Sequence, residues 1–375
     1  MRIAFLCKRR YMSKDVILDR YARLYEIPRQ LALLGNDVLG LCLSYYRSEA
    51  VDAVDDGSEG RLHWIAPATG ALRLPDAAVF PARALRILGQ FKPDVLIGAS
   101  DAPHIVLARW LSRRLRVPYA VDLYDNFESF SLTRLPCMRA AYRAAVRHAM
   151  LVTTTSAPLR DYVLEDYGAT GEVISMPSTI DKSIFYPRDR TACRTSLGLP
   201  DGGQLIGTAG GLYRDKGIRT LYDAWPILRD RNPDLRLVLA GPYQSDLPPP
   251  ADSRVIYLGA LPHARVAELF CALDVGVVSI DDTSFGRYCF PQKAYEMLAS
   301  SLPVVAASVG EMSDLFCGST SSLFTSGDAG SLAAAAQKQL QDPELWVTRI
   351  DDWPTLVARI DERLRARGNK LGVPN

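Results

Sequence analysis

The sequence predicts an α/β protein made of two doubly wound, parallel-sheet domains of similar size. Three observations carry that prediction. Short apolar runs alternate with segments of helical spacing along most of the chain, the order in which helices cover a parallel sheet. The alternation lapses once, over 181–199, where Pro187, Gly198 and Pro200 punctuate a stretch with little periodicity, and then begins again. The 375 residues are enough for two such domains.

In the first half, 3–7 reads as a short buried strand. The segment 19–34 follows as a helix, with Tyr21, Leu24, Tyr25, Leu31 and Leu34 recurring at helical spacing and Gly35-Asn36 as its stop. Pro28 kinks or restarts that helix. Strands are expected at 37–42 and 63–66, separated by a polar segment over 48–60, and a helix at 82–89. Further strand–helix pairs fall at 93–98 with 103–115, at 117–122 with 139–150, and at 151–154 with 158–167; a strand at 173–176 ends the series. The segment 181–199 is expected to link the two domains.

In the second half, strands are expected at 204–208, 236–240, 255–258, 275–278 and 303–306, and helices at 217–229, 264–272, 291–300 and 329–340. The segment 342–367 reads as one long helical end. Its Trp346, Trp353, Leu356, Ile360 and Leu364 make it too apolar to stand free in water.

Composition narrows the function. A net charge of +2, with no zinc-finger spacing and no long basic tail, gives no reason to expect nucleic acid. The seven cysteines are odd in number and form no CxxC pair, which argues against a disulfide framework and against a zinc site. No run approaches the roughly 20 apolar residues of a membrane-spanning helix. The expectation is a cytoplasmic enzyme without a metal. A nicotinamide enzyme is disfavoured because no GxGxxG follows the first strand.

Two stretches hold the chemistry of the second half. Gly207-Thr-Ala-Gly-Gly-Leu-Tyr-Arg-Asp-Lys-Gly217 joins a strand to a helix. Gly210 and Gly211 let backbone N–H groups approach a ligand, while Arg214 and Lys216 suit a diphosphate. This is not a phosphate-binding Walker loop, because glycine follows the lysine where Ser or Thr would stand. The second stretch is Phe290-Pro-Gln-Lys-Ala-Tyr-Glu-Met-Leu-Ala299. Lys293 and Glu296 lie three apart near a helix N-terminus and share one face. That arrangement suits phosphate and ribose hydroxyls together; an ordinary amphipathic helix with a solvated Lys–Glu pair has the same spacing.

The order of landmarks from 150 to 345 resembles the nucleotide-binding half of the GT-B glycosyltransferases, and within them the retaining family 4 group. The landmarks are the Gly-Gly-Leu turn ending in Asp-Lys-Gly217, Leu237-Val-Leu-Ala-Gly-Pro242, the Leu-Gly-Ala-Leu-Pro262 turn with Glu268-Leu269, and the Phe290 segment with Leu302-Pro-Val-Val-Ala306 and Gly310-Glu311. The likeness is nearest to a branch with a Phe-Pro-x-Lys-x-aromatic-Glu segment, and it is looser over the first 150 residues. It implies two Rossmann-like domains facing a central cleft, with the C-terminal helix crossing back to the N-terminal domain. The N-terminal, acceptor-side domain would span 1–185 plus a helix at about 345–368, and the donor domain 186–344.

The resemblance further implies a nucleotide-sugar donor whose diphosphate meets Lys216, whose ribose hydroxyls meet Glu296 and whose base is read near Leu261. Gly210, Gly211, Arg214, Phe290 and Lys293 complete the expected donor site. Two positions depart from the family pattern: Gly211 where arginine is usual, and Tyr288 where a second glutamate is usual. Asp281, Asp282 or the backbone at Phe285-Gly286 would then share in holding the sugar.

On the acceptor side the resemblance points to the strand ends at Ser100-Asp-Ala-Pro-His104 and Asp122-Leu-Tyr-Asp-Asn-Phe-Glu128. It implies Asp125, His104 and Lys216 as catalytic groups, and Asp101, Tyr124 and Glu128 as acceptor contacts, with Tyr124-Asp125 where relatives have His-Asp. The first loop, Lys8-Arg-Arg-Tyr-Met-Ser-Lys14, is basic where the family has paired glycines. With Arg134, Arg139, Arg143 and Arg147 it suits either a solvated face or an anionic membrane surface near a lipid-linked acceptor. The function so implied is sugar transfer in cell-surface polysaccharide or glycoconjugate synthesis. An epimerase or hydrolase of the same fold, or a donor-binding protein with a degraded site, fits the same residues.

Overall fold

The computed structural model describes residues 1–11, 14–56, 59–70, 73–129, 131–319 and 321–370. Met12 and Ser13 of the basic loop, and Gly57 and Ser58 of the polar segment, lie outside the described residues. The chain divides into two compact units, one of residues 1–178 and 351 onward, the other Thr179–Ile350.

The first unit runs β1 (Arg2–Lys8), β2 (Arg10–Tyr11), β3 (Lys14–Asp15), α1 (Ala22–Leu33), β4 (Asp37–Leu43), β5 (Val51–Asp56), β6 (Arg61–Ala66), α2 (Arg73–Phe91), β7 (Val95–Ala99), α3 (Ala102–Leu115), β8 (Tyr119–Leu123), α4 (Pro136–Arg147), β9 (Leu151–Thr154), α5 (Ala157–Glu165) and β10 (Glu172–Ser175). Its main sheet has the order β10-β9-β8-β7-β1-β4-β6-β5 and is parallel except for the antiparallel edge pair β5–β6. β1 and β7 read as unbroken apolar runs because both faces are covered. The polar segment predicted over 48–60 contains β5. Val-Asp-Ala-Val-Asp-Asp escapes a hydrophobic reading because it is an edge strand, with Asp52 exposed beside His63 and Asp55 accepting from the Tyr25 hydroxyl.

The second unit runs α6 (Arg190–Leu197), β11 (Leu205–Ala209), α7 (Ile218–Arg231), β12 (Arg236–Ala240), β13 (Val255–Tyr257), α8 (His263–Ala272), β14 (Val275–Val278), α9 (Ser284–Tyr288), α10 (Gln292–Ala299), β15 (Val304–Ala307), α11 (Glu311–Leu315), β16 (Leu323–Phe324) and α12 (Ala329–Gln341). Its sheet, β13-β12-β11-β14-β15-β16, is parallel throughout. The segment 181–199 is not a bare linker. Phe185, Cys193 and Leu199 are buried in the second core, and Asp189 caps α6 by accepting from the Ala192 N–H. Eight residues are too few for helical periodicity to show.

The long helical end is likewise corrected. Residues 343–352 are not helical, and Trp346 packs on Phe316 in the second unit. Helix α13 (Trp353–Lys370) then joins the first unit, burying Leu356, Val357, Ile360 and Leu364 against α1. Asn36 secures it, donating to Asp361 Oδ1 at 2.8 Å and accepting from Arg365 Nη2 at 2.9 Å. The expected return of the C-terminal helix to the N-terminal domain is observed. Because 351 onward joins the first unit and the break falls after Ser178, each unit's limits differ by several residues from the predicted ones.

One charged contact pins α1 to the sheet. The Arg23 guanidinium is buried and grips Asp122 bidentately, at 3.1 Å from Nε and 2.6 Å from Nη2. Asp122 Oδ1 also accepts from Thr153 at 2.6 Å, and Arg23 Nη1 donates to the Met176 carbonyl at 3.1 Å. Each charge is thus satisfied by planar, hydrogen-bonded geometry in a dry interior.

Candidate donor site and acceptor-side pocket

In an open α/β sheet, ligands bind beyond the carboxyl ends of the strands where neighbouring connections diverge. In the second unit that point lies at β11, flanked by β12 and β14. Three strand-end loops are tied together there by backbone alone. The Gly210 N–H donates to the Ala240 carbonyl at 3.0 Å, Gly241 to Gly259 at 2.7 Å, and Leu212 to Pro242 at 2.8 Å. Gly241 has φ +125°, and a Cβ there would fall 1.9 Å from the Gly210 carbonyl oxygen, so no other residue fits without moving the loops.

These loops floor a pocket of about 230 Å³ lined by Gly210, Gly241, Pro242, Leu261, His263, Lys293 and Glu296, among others. Lys293 stands in the first turn of α10 with its ammonium above Gly210, where a Cβ would lie 3.6 Å from Nζ. Burial pushes Lys293 down to about 8; Glu296 opposes the shift and the nearby Lys216 adds to it. Glu296 is pulled the other way. Burial raises its carboxyl, against His263, the Gln292 hydrogen bond and Lys293. Gln292 Nε2 donates to Glu296 Oε1 at 3.1 Å, and His263 Nε2 lies 3.9 Å from the same oxygen.

Lys216 closes the short 3-10 turn Arg214–Lys216, ahead of Gly217 at φ +71°. Its ammonium sits 3.5 Å from the centroid of the Phe285 ring, with no carboxylate at ion-pair distance among the described residues. Lys216 is near enough to Lys293 to act on its charge, and Glu296 acts on Lys293 in the opposite sense. Arg214 is directed elsewhere: it pairs with Asp246 at 3.3 Å, and its own N–H donates to Gln244. Gly211 lies against the Tyr213 ring. Phe290 stacks on Tyr295 at 4.7 Å and does not line the pocket. Burial and Asp215 raise the Asp281 carboxyl, while Asp282 is bound to Arg287. His263 is the residue the sequence reading missed; its only signal was its place directly after the Leu-Pro turn, opening α8.

In the first unit a second pocket, of about 170 Å³, opens at the ends of β1, β7 and β8. Lys8, Tyr45, Asp101 and Tyr124 form its polar side, and Pro103, Phe127 and Leu132 its apolar side. Asp101 caps α3 and is fully engaged: its Oδ1 takes the His104 N–H at 3.0 Å and His104 Nδ1 at 2.7 Å, and its Oδ2 takes the Tyr45 hydroxyl at 2.9 Å. Burial opposes ionisation of Asp101, but His104 and its hydrogen bonds prevail and hold the carboxyl below its usual range. His104 itself is buried, with Nε2 unpaired among the described residues, so its ring is not the solvated one a helix opening allows. Glu128 is bound by Arg143, at 2.5 Å to Nε and 2.9 Å to Nη2, and by the Tyr162 hydroxyl. Asp125 Oδ1 accepts the Asn126 N–H at 2.8 Å. The pocket therefore holds Asp101 and Tyr124, whereas Glu128 spends its charge on α4.

Comparison with known proteins accounts for both halves. A model described as "Glycosyl transferase 4-like domain" matches residues 22–177, and one described as "Glycosyl transferases group 1" matches 203–342. A 2-deoxystreptamine glucosyltransferase of Streptomyces kanamyceticus is 26% identical over 62% of this chain and 64% of its own. A D-inositol 3-phosphate glycosyltransferase of Stackebrandtia nassauensis is 32% identical over 51% and 46% respectively. The match thus spans between about half and two thirds of these relatives' length. Among solved structures, sucrose-phosphate synthase of Thermosynechococcus elongatus superposes with a TM-score of 0.68 at 19% identity, over 99% of this chain and 97% of its own. HepE of Anabaena in complex with UDP-glucose superposes at 0.65 and 18%, over 99% of each. Those superpositions show a shared fold, and the two sequence models each match one half of the chain; the chain belongs to the glycosyltransferases of the GT-B fold.

Proposed function

We propose that this glycosyltransferase takes its sugar from a nucleoside diphosphate donor and passes it, with retention, to a glycan or lipid-linked acceptor in cell-surface polysaccharide or glycoconjugate synthesis. One observation carries the donor reading: a buried lysine, Lys293, and a buried carboxylate, Glu296, line one pocket floored by glycine loops, with the Lys216 charge near enough to act on Lys293. The lysines offset the charge of the departing diphosphate, so the reaction needs no metal. Glu296 accepts the two ribose hydroxyls through the oxygen that Gln292 does not engage, and the backbone of the tied loops borders the base. UDP is the first nucleotide to test, because HepE was solved with UDP and UDP-glucose. The acceptor hydroxyl enters from the side of Asp101, Tyr124 and Asp125, with His104 orienting Asp101. Transfer takes place on the cytoplasmic side of a membrane.

Thermal shift across UDP-, GDP- and ADP-sugars tests the donor reading, and a protein that shifts with none of them overturns it. 2′-Deoxy-UDP is expected to bind wild type roughly 10- to 100-fold more weakly than UDP, one charge-assisted hydrogen bond being worth about 1.5–3 kcal/mol. Glu296→Gln should erase most of that difference. Incubation with donor alone separates transfer from the alternatives, since a hydrolase frees the sugar and an epimerase isomerises it.

Donor affinity should also depend on pH with a defined sign. Free Lys293 loses its proton near pH 8, so above that pH an incoming diphosphate must recapture one. The Kd for UDP is expected to rise by up to about tenfold per pH unit between 8.5 and 10, and calorimetry in buffers of different ionisation enthalpy should show proton uptake. A profile as steep in Lys293→Met as in wild type would refute the assignment.

A further inference from the structure

Lys8 ends β1 at the pocket of the first unit and is half-buried there. Its ammonium donates to the Tyr124 hydroxyl at 2.7 Å and lies 5.5 Å and 5.4 Å from the centroids of the Tyr11 and Tyr124 rings. The Tyr124 hydroxyl donates its own proton to the Ser100 carbonyl at 2.9 Å, so it is fixed as an acceptor toward Lys8. No carboxylate lies within ion-pair distance of Lys8 among the described residues. A cation drawn this far into a pocket wall is ordinarily paired.

The neighbours do not offer that pairing. Both Asp101 oxygens are occupied, by His104 and by Tyr45. Arg9, the next cation along the chain, is bound to Asp15 and to the Glu49 carbonyl. The positive end of α3 carries the Asp101 carboxylate as its cap, accepting from the His104 N–H. What remains is one ammonium with protons to spare, in a pocket whose opposite wall is Pro103, Phe127 and Leu132. Burial lowers the affinity of Lys8 for its proton, and Asp101 and Asp125 resist that loss from a distance.

We infer that this pocket binds the anionic group, phosphate or carboxylate, of the sugar acceptor, with Lys8 as its counter-ion and Tyr124 holding the ammonium in place. The inference rests on the proposed transferase function and narrows its acceptor to an anionic one. Lys8 and Tyr124, at the ends of β1 and β8, bond to each other. The pair therefore acts as one specificity-determining unit. An ammonium meets an anion as a point charge without demanding bidentate geometry, so phosphate and carboxylate are both admitted.

The test is calorimetry on protein first saturated with UDP, which occupies the donor lysines and leaves Lys8 as the anion site in question. Glucose 6-phosphate, glucuronate and glucose serve as probes. The anionic sugars, or whichever one carries the preferred group, are expected to bind at least 10-fold more tightly than glucose. Lys8→Met should remove that preference and leave the Kd for UDP unchanged, and Lys8→Arg should restore part of it. Comparison of the three sugars on wild type needs no variant and stands even if Lys8→Met misfolds. Equal binding of all three, no binding of any, or a preference that survives Lys8→Met overturns the proposal. A loss of UDP affinity in Lys8→Met with the anion preference intact would also overturn it, by assigning Lys8 to the donor diphosphate. Failure of UDP itself to bind wild type would instead strike the proposed function.

Discussion

Lys216→Ala and Lys293→Ala should each raise the Kd for UDP by roughly 10- to 100-fold, the range of one charge-assisted hydrogen bond to a phosphate. The two losses should not add. Lys216 helps to depress Lys293, so removing Lys216 lets Lys293 hold its proton to a higher pH. At pH 9 the Lys216 variant regains in Lys293 protonation part of what it loses in contact, and the double variant is hit harder than the single values suggest. Calorimetry of the four proteins at pH 7 and pH 9 measures this directly. Additive losses at both pH values would show that the two ammonium groups serve different ligands.

Asp122→Ala should be the most destabilising single change in the first unit. It strips the carboxylate partner from a fully buried Arg23 and leaves the Thr153 hydroxyl only its longer bond to the Val121 carbonyl. Breaking one side of a buried ion pair costs about 3–5 kcal/mol, which lowers Tm by roughly 6–20 °C in a unit of this size. The pair spans α1, the end of β8 and, through the Met176 carbonyl, the segment after β10. Replacing both partners by apolar residues, Arg23→Met with Asp122→Leu, should recover most of the stability. Scanning calorimetry of the single and double variants checks both statements, and a single variant within a degree or two of wild type refutes the first.

Much of this was legible in the residues because strand ends carry local signals. The Gly210-Gly211 turn, the left-handed Gly217 after Lys216 and the three-residue spacing from Lys293 to Glu296 all report on backbone within one turn. What escaped depends on contacts distant in the chain. Nothing near Arg214 announces Asp246, 32 residues away, and nothing near Glu128 announces that Arg143 will take its charge. Lys8 and Tyr124 are separated by 116 positions, and their bond exists because β1 and β8 end on either side of β7. Short elements were hidden for a different reason: α6 and β5 are too brief, or too polar on their open face, to leave a period.

The return of α13 to the first unit has a consequence for synthesis. The domain begun by residue 2 is completed by residues 353–370, and the whole of the second unit is translated between them. The face of α1 that receives Leu356, Val357, Ile360 and Leu364 is therefore covered only after the second unit has been translated.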